Sequence, residues 1–174
     1  MGSDPVVSVC LISYNQANYI EKAMDGILMQ DFNLPWEIVI ADDCSTDGTK
    51  EILQRYFERY PDKIRILPRT TNWGPGPNFV DLLLQAKGKY IAYLEGDDYW
   101  CDPSKLSQQV AYMEANTSVA LTWHGYHIID EHDRITKSDA HNESKLNFTA
   151  DEFKKINSIK SLTICFRNVI REFP

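Results

Sequence analysis

The stretch Tyr90–Asp98, YIAYLEGDD, runs from an apolar segment directly into three acidic residues. A short apolar run that is bounded by a turn is typical of a buried strand. Glu95, Asp97 and Asp98 then fall at the carboxyl end of that strand. Ligands of open α/β sheets bind outside the carboxyl ends of the strands. The stretch therefore predicts a fold class and a site together.

The acidic turn itself predicts a bound cation. Three carboxylates within four residues repel one another and are costly to remove from water. A hard divalent ion with oxygen ligands offsets both effects. The alternative is a polar turn that only ends a buried strand, and we favour metal binding.

Outward from this stretch, short β-branched runs alternate with segments of helical periodicity. This alternation predicts a parallel sheet with crossover helices. The predicted strands are Val6–Ser13, Trp36–Ala41, Ile64–Leu67 and Tyr90–Leu94. The apolar faces of the predicted helices carry Ile20, Ala23, Met24, Ile27 and Leu28, then Ile52, Leu53, Tyr56, Phe57 and Tyr60, then Phe79, Leu82, Leu83 and Ala86, and last Leu106, Val110 and Met113.

Helix boundaries and the C-terminal part follow from local signals. Ser45 or Asp47 is expected to cap the second helix, Gly88 to end the third, and Asp102-Pro103 to begin the fourth. Beyond these the sequence predicts a strand at Val119–Trp123, a hairpin through Ile128–Ile135, a short helix at Asp151–Ile156 and a strand at Leu162–Phe166.

Polar residues also follow the first two predicted strands. These are Ser13-Tyr14-Asn15 and the run from Asp42 to Asp47. An Asx-rich turn that caps the next helix is the favoured interpretation of Ser45 and Asp47. For Asp43 we favour contact with a ligand.

The composition favours a single globular domain and argues against several classes of protein. The chain has 174 residues, 43% hydrophobic, which fits one globular domain spanning 1–174. Its net charge of −7, without a basic run, argues against a nucleic-acid groove. No stretch reaches the roughly 18 apolar residues that cross a bilayer, and no signal peptide pattern precedes the first strand. Four scattered cysteines indicate free thiols in a reducing compartment, so we expect a cytoplasmic protein.

Several catalytic motifs are missing from the sequence. It has no Walker loop, G-x-G-x-x-G or H-E-x-x-H, which excludes the common kinase, dinucleotide-oxidoreductase and zinc-protease signatures. His124, His127 and His132 stand among acidic residues in the predicted hairpin. Their irregular spacing favours a solvated hairpin over a metal cluster.

Four motifs together carry a resemblance to a known family. VSVCLISYN, EIVIADDCSTDGT, the TNWG turn and GKYIAYLEGDDYWCDPSKL occur in this order. The chain resembles the inverting nucleotide-sugar glycosyltransferases of family 2, over about residues 6–115. The resemblance implies a GT-A fold, with a mixed but mostly parallel sheet flanked by helices, a nucleotide-sugar-binding part at about 6–115, and an incomplete acceptor part at about 116–174.

The resemblance also implies roles for individual residues. Tyr14 would stack on the base, Asp43 would accept a hydrogen bond from a base ring nitrogen, and Asp42 would support that turn. Glu95-Gly96-Asp97-Asp98 would be the D-x-D motif, which binds ribose and holds Mn²⁺ or Mg²⁺ through Asp97 and Asp98. The whole nucleotide-binding set is Ile12, Ser13, Tyr14, Asn15, Asp42, Asp43, Asn72, Gly74, Glu95 and Asp97.

Three departures from the family pattern stand out. Glu95 replaces the usual first Asp, and Pro77-Asn78 stands where an Arg often follows the N-x-G turn. Thr163–Asn168 resembles the strand before the segment that holds the general base. We therefore expect that base beyond Pro174, and little or no transfer by the chain as given, although Asp130, Glu131 and Asp133 stay open as candidates.

The expected activity is transfer of a sugar, with inversion, from a UDP-linked donor to a glycan or lipid-linked acceptor in polysaccharide or cell-surface glycan synthesis. Peripheral membrane association is compatible with this setting. The alternative from another class is a non-catalytic nucleotide-sugar-binding domain of the same fold. A sugar-nucleotide phosphorylase is disfavoured because Ser13-Tyr14-Asn15 is neither glycine-rich nor basic.

Overall fold

The computed structural model describes residues 4–139 and 159–170. Four helices alternate with strands through the first two thirds of the chain. The strands are β1 (Val7–Ser13), β2 (Trp36–Asp42), β3 (Ile64–Ile66), β4 (Tyr90–Glu95), β5 (Leu121–Thr122), β6 (Tyr126–Ile129), β7 (Ile135–Asp139) and β8 (Cys165–Arg167). The helices are α1 (Ile20–Leu28), α2 (Thr49–Arg59), α3 (Pro75–Gln85) and α4 (Lys105–Ala115), and a 3₁₀ turn spans Ser161–Thr163.

Six of the described strands form one sheet in the order β3-β2-β1-β4-β8-β5. The first four are parallel, whereas β8 runs antiparallel to both of its neighbours. This confirms the predicted mixed but mostly parallel sheet. The order reverses at β1, where β2 lies on one side and β4 on the other, and such a switch point is where open sheets bind ligands.

Helices cover both faces of the sheet. One face packs against α1, α2 and α4 through a core that includes Ile20, Ile27, Leu53, Leu106 and Met113. The opposite face packs against α3, with Leu82 and Leu83 over Cys10, Val39 and Ile91. The central strands are buried on both faces, which explains their continuous apolar sequences.

The helix termini differ from the predictions. The residue before α2 is Gly48 rather than Ser45 or Asp47. Asp47 accepts hydrogen bonds from the Thr49 backbone N–H and hydroxyl, whereas the Ser45 hydroxyl donates to Asp42. Helix α4 begins at Lys105 rather than Pro103, because the Asp102 carboxylate binds Ser104 in a turn that precedes the helix. Helix α3 already ends at Gln85, so Gly88 does not cap it.

Gly88 is needed for another reason. A Cβ atom there would lie 2.7 Å from the Val7 carbonyl carbon and 2.8 Å from the Tyr90 carbonyl oxygen. The backbone before β4 therefore passes too close to β1 for any side chain. Close approach, and not a left-handed conformation, explains this glycine.

The C-terminal strands are shorter than predicted. Only Leu121–Thr122 pairs within the predicted Val119–Trp123, and Leu162 belongs to the 3₁₀ turn rather than to β8. The predicted hairpin is confirmed as the antiparallel pair β6-β7. The helix predicted at Asp151–Ile156 lies outside the described residues. Among the helices of residues 4–139 and 159–170, none is long and apolar enough to cross a membrane.

Candidate functional site

An open cleft of about 810 Å³ lies at the carboxyl ends of β1 and β4. Seven of the predicted site residues line it: Ile12, Ser13, Tyr14, Asp43, Asn72, Glu95 and Asp97. The other lining residues are Gln16, Pro75, Gly76, Asn78, Phe79, Tyr93 and Ser161. The strand register explains why these residues lie together, since Ser13 pairs with Asp42 and Ile12 pairs with Glu95.

Asp42 is buried behind the cleft and does not line it. Its carboxylate accepts hydrogen bonds from the Ser13 hydroxyl (2.9 Å), the Ser45 backbone N–H (3.1 Å) and the Ser45 hydroxyl. These bonds hold the ends of β1 and β2 together. Asp42 therefore supports the turn after β2 rather than lining the cleft.

Asn15 also stands outside the lining and joins two loops. Its backbone has a positive φ of 52°, its N–H donates to the Ser45 hydroxyl (2.8 Å), and its side-chain oxygen accepts from the Thr46 N–H (2.9 Å). Gln16 N–H donates to the Thr49 hydroxyl and Ala17 N–H to the Asp47 carboxylate. Four hydrogen bonds thus connect the segment after β1 to the loop after β2 and to the first residue of α2.

Asp43 connects the cleft to the loop that precedes α3. One carboxylate oxygen accepts from the Trp73 N–H (2.7 Å) and the other from the Gly74 N–H (2.8 Å). The Asn72 side chain donates to the Asp43 carbonyl (3.0 Å). Gly74 has a φ of 81°, which suits glycine, and it supports Asp43 from outside the lining.

Arg69 is a site-supporting residue that the sequence did not point out. Its guanidinium is almost fully buried, and it donates to the side chains of Asn78 (2.8 Å) and Asp81 (2.7 Å). It also lies 4.1 Å from the centre of the Trp73 ring. Asn78 in turn donates to the Ala41 carbonyl at the end of β2 (2.9 Å). Asn78, which stands near the position of the missing Arg, therefore packs the cleft wall.

The acidic turn is anchored to β1 and crowded by α1. The Gly96 N–H donates to the Ile12 carbonyl (2.9 Å), and a Cβ at Gly96 would overlap the side chains of Gln16 and Ile20. The Gln16 side-chain oxygen is buried there and has no hydrogen-bond partner within the described part of the chain. A side chain at position 96 would therefore require the ends of the Gln16 and Ile20 side chains to move.

The carboxylates of this turn are crowded and partly buried. Partial burial, together with the charges of Asp97 and Glu95, raises the pKa of Asp98 to about 6. Burial and the same acidic residues raise the pKa of the Tyr93 hydroxyl. A divalent ion would relieve this repulsion and accept these hard oxygen ligands. Asp97 lines the cleft, and its neighbour Asp98 is partly buried beside it in the same turn.

The described residues contain no set of three or more His, Cys, Asp or Glu side chains arranged to hold a metal ion. A metal at the acidic turn would therefore take its remaining ligands from a bound molecule or from water. Diphosphate oxygens are suitable ligands for Mg²⁺ or Mn²⁺.

The histidine-rich hairpin is not part of the cleft. Asp130 accepts hydrogen bonds from Arg134, and Asp133 pairs with Lys22 on α1. Neither Asp130, Glu131 nor Asp133 lines the cleft. Asp130 thus stabilises the hairpin turn, and Asp133 connects the hairpin to α1.

The site and the sheet together define an α/β domain that presents an acidic, divalent-ion-compatible cleft at the switch point of its strand order. The chain belongs to glycosyl transferase family 2, whose model matches residues 8–173. The mostly parallel sheet with helices on both faces is the GT-A fold of that family.

Curated relatives of this chain include an uncharacterized protein of Mycobacterium tuberculosis, Rv1520, and the putative teichuronic acid biosynthesis glycosyltransferase TuaG of Bacillus subtilis. Rv1520 is 46% identical over 125 residues, 72% of this chain and 36% of its own length. TuaG is 35% identical over 160 residues, 92% of this chain and 61% of its own length. The chain thus spans about a third of the former and three fifths of the latter.

Two similar solved structures contain nucleotide sugars. TarS 1–349 of Staphylococcus aureus, in complex with UDP-GlcNAc, has a TM-score of 0.56 at 31% identity, covering 64% of this chain and 32% of TarS. The mannosyltransferase PcManGT of Pyrobaculum calidifontis, in complex with GDP-Man and Mn²⁺, has a TM-score of 0.62 at 27% identity, covering 75% of this chain and 37% of PcManGT.

Proposed function

We propose that this chain is the donor-binding part of a glycosyltransferase that uses a UDP-linked sugar and transfers it with inversion. The observation that carries the proposal is the shared cleft: Tyr14 and Asp43 line one part of it, and Glu95 and Asp97 line another. One part suits a nucleobase and the other suits a ribose and a metal-bound diphosphate. TuaG, a putative teichuronic acid glycosyltransferase, supports a role in polysaccharide or cell-surface glycan synthesis.

The base end of the cleft combines an aromatic side chain with a fixed acceptor. Tyr14 is half exposed, so its ring is free to stack on a base. Each Asp43 oxygen already accepts one backbone hydrogen bond and keeps a second lone-pair direction for a base N–H. Because the loop amides fix the carboxylate, little entropy is lost when a base binds.

The acidic end would hold Mn²⁺ or Mg²⁺ through Asp97 and Asp98. The ion, when bound, stabilises the negative charge that develops on the departing diphosphate. Glu95 accepts a hydrogen bond from the Ser161 hydroxyl (2.8 Å), which fixes its carboxylate at the part of the cleft that we assign to the ribose. The PcManGT complex, with Mn²⁺ and GDP-Man, supports a divalent ion at this fold.

We also propose a cytoplasmic setting and a glycan or lipid-linked acceptor. All four cysteines of the chain are free, and Cys10 and Cys165 are buried among apolar residues. Burial raises the pKa of both thiols, which keeps them protonated. Unpaired cysteines are usual in proteins of a reducing compartment.

Calorimetric titration tests the proposal. UDP and GDP are titrated with and without Mn²⁺ into the wild-type chain, the Asp97→Ala variant and the Asp62→Ala variant as a control, since Asp62 is exposed before β3, at the opposite end of the strands. We expect Mn²⁺-dependent UDP binding that Asp97→Ala abolishes and Asp62→Ala retains.

Each other outcome has a distinct meaning. Absence of nucleotide binding in the wild type would refute the proposal, and a clear preference for GDP would refute only the UDP assignment. Metal-dependent binding without transfer, in a longer form that includes the rest of the relatives' length, would favour the non-catalytic alternative.

A further inference from the structure

The charged residues that line the cleft are all acidic, although the proposed ligand is itself an anion. Its lining contains three carboxylates, Asp43, Glu95 and Asp97, and neither Lys nor Arg. A nucleoside diphosphate adds further negative charge, and one divalent ion offsets only part of it. The buried Arg69 is already bound to Asn78 and Asp81. Another cation near the acidic turn would complete the site.

The 3₁₀ turn before β8 forms a second wall of the cleft. Ser161 lines the cleft and donates its hydroxyl to Glu95 at 2.8 Å, although the two residues are 66 positions apart. The indole N–H of Trp100 donates to the Leu162 carbonyl (2.8 Å), and the Gln109 side chain donates to the Thr163 carbonyl (3.0 Å). The turn is therefore held against both the acidic loop and α4.

Lys160 stands at the start of this wall. Its carbonyl accepts hydrogen bonds from the Thr163 N–H (3.0 Å) and the Thr163 hydroxyl (2.7 Å), so its backbone is fixed, while its side chain is exposed. The next residue, Ser161, lines the cleft and binds Glu95, so the Lys160 backbone lies at the edge of the acidic turn. The exposed ammonium group is thus carried beside the acidic side of the cleft.

We propose that Lys160, presented by the turn Lys160–Thr163, binds the diphosphate of the donor. The inference rests on the proposed function, because it assigns a residue to the same cleft. A flexible lysine side chain on a fixed backbone can turn toward the phosphate oxygens of a donor bound in the cleft.

Three ligands of increasing charge test this assignment. Uridine, UMP and UDP are titrated with Mn²⁺ into the wild type and into Lys160→Ala, Lys160→Arg and Lys87→Ala. Lys87 is the matched control, since it is an exposed lysine at the opposite end of β4. We expect Lys160→Ala to weaken UDP binding by about tenfold and to leave uridine within twofold, in line with the loss of one charge-assisted hydrogen bond.

The conservative variant and the control make the result specific. Lys160→Arg should restore most of the UDP affinity, and Lys87→Ala should match the wild type. UDP affinity of Lys160→Ala equal to the wild type, or an equal loss for uridine and UDP, would overturn the inference while leaving the proposed function intact. A wild-type chain that binds neither UDP nor GDP overturns both.

Discussion

Replacing Gly26 by alanine should destabilise this protein, although alanine favours helices. Gly26 lies within α1, where an exposed glycine-to-alanine change gains about 1 kcal/mol. A Cβ atom at Gly26, however, would lie 2.6 Å from the carbonyl oxygen and 2.9 Å from the nitrogen of Trp100. Ordinary contact starts at 3.4 Å, so helix and loop must separate by about 0.8 Å, the difference between 3.4 and 2.6 Å.

The expected magnitude follows from these two opposing effects. Overpacking of this kind costs about 1–3 kcal/mol, and a rigid backbone neighbour places Gly26 at the upper end. After subtraction of the propensity gain of about 1 kcal/mol, the net loss is about 2 kcal/mol. For a chain of this length that loss lowers the Tm by about 4–8 °C.

Thermal unfolding of matched variants measures the effect. Lys50→Ala is the control, because Lys50 lies in α2 with its side chain exposed. Its Tm should match that of the wild type. A Tm of Gly26→Ala at or above the wild-type value would show that the Trp100 backbone yields easily, and the packing argument would be wrong.

Three further predictions concern stability. Asp42→Ala should lower the free energy of unfolding by about 2–4 kcal/mol in urea, because buried hydrogen-bond donors lose a charged acceptor, whereas Asp62→Ala should stay within about 0.5 kcal/mol. Gly88→Ala should lower the Tm by several degrees, since its Cβ would meet the backbone of Val7 and Tyr90. Burial lowers the pKa of Lys105 from 10.5 to about 8, so the unfolded chain binds more protons and wild-type stability should rise between pH 8 and 10.5. Lys105→Met should be more stable than the wild type by about 1–3 kcal/mol at pH 7, and its stability should not rise with pH in this way. The free energies of unfolding of both proteins are measured in urea at pH 7 and 9.5. An equal change between the two pH values in both proteins would contradict the prediction.

Apolar periodicity predicted the central part of the fold well. The predicted strand Tyr90–Leu94 differs from β4 by one residue, and Ile20 to Leu28 matches α1. Their buried apolar residues recur at a regular spacing, and this spacing is visible in the local sequence. Helix ends were predicted less well, because Asp102 binds Ser104 before the helix instead of capping its first turn.

The site could be predicted where its residues follow strand ends. Tyr14, Asp43 and Asp97 stand within two residues of the ends of β1, β2 and β4, and all three line the cleft. Ser161 could not be found in this way, since it comes from a turn far along the chain and no local motif marks it. Arg69 was missed because its buried contacts with Asn78 and Asp81 are tertiary.

The hydrogen bonds that join the two loops after β1 and β2 bear on how base preference can change. Tyr14 and Asp43 are carried by a single rigid unit, since Asn15, Gln16 and Ala17 bind Ser45, Thr46, Thr49 and Asp47 across the loops. A chimera that exchanges only one loop with a relative breaks these bonds and misaligns both groups. Segments 13–17 and 42–49 therefore form one module, and under the proposed function a change of nucleotide preference requires that both segments are exchanged together.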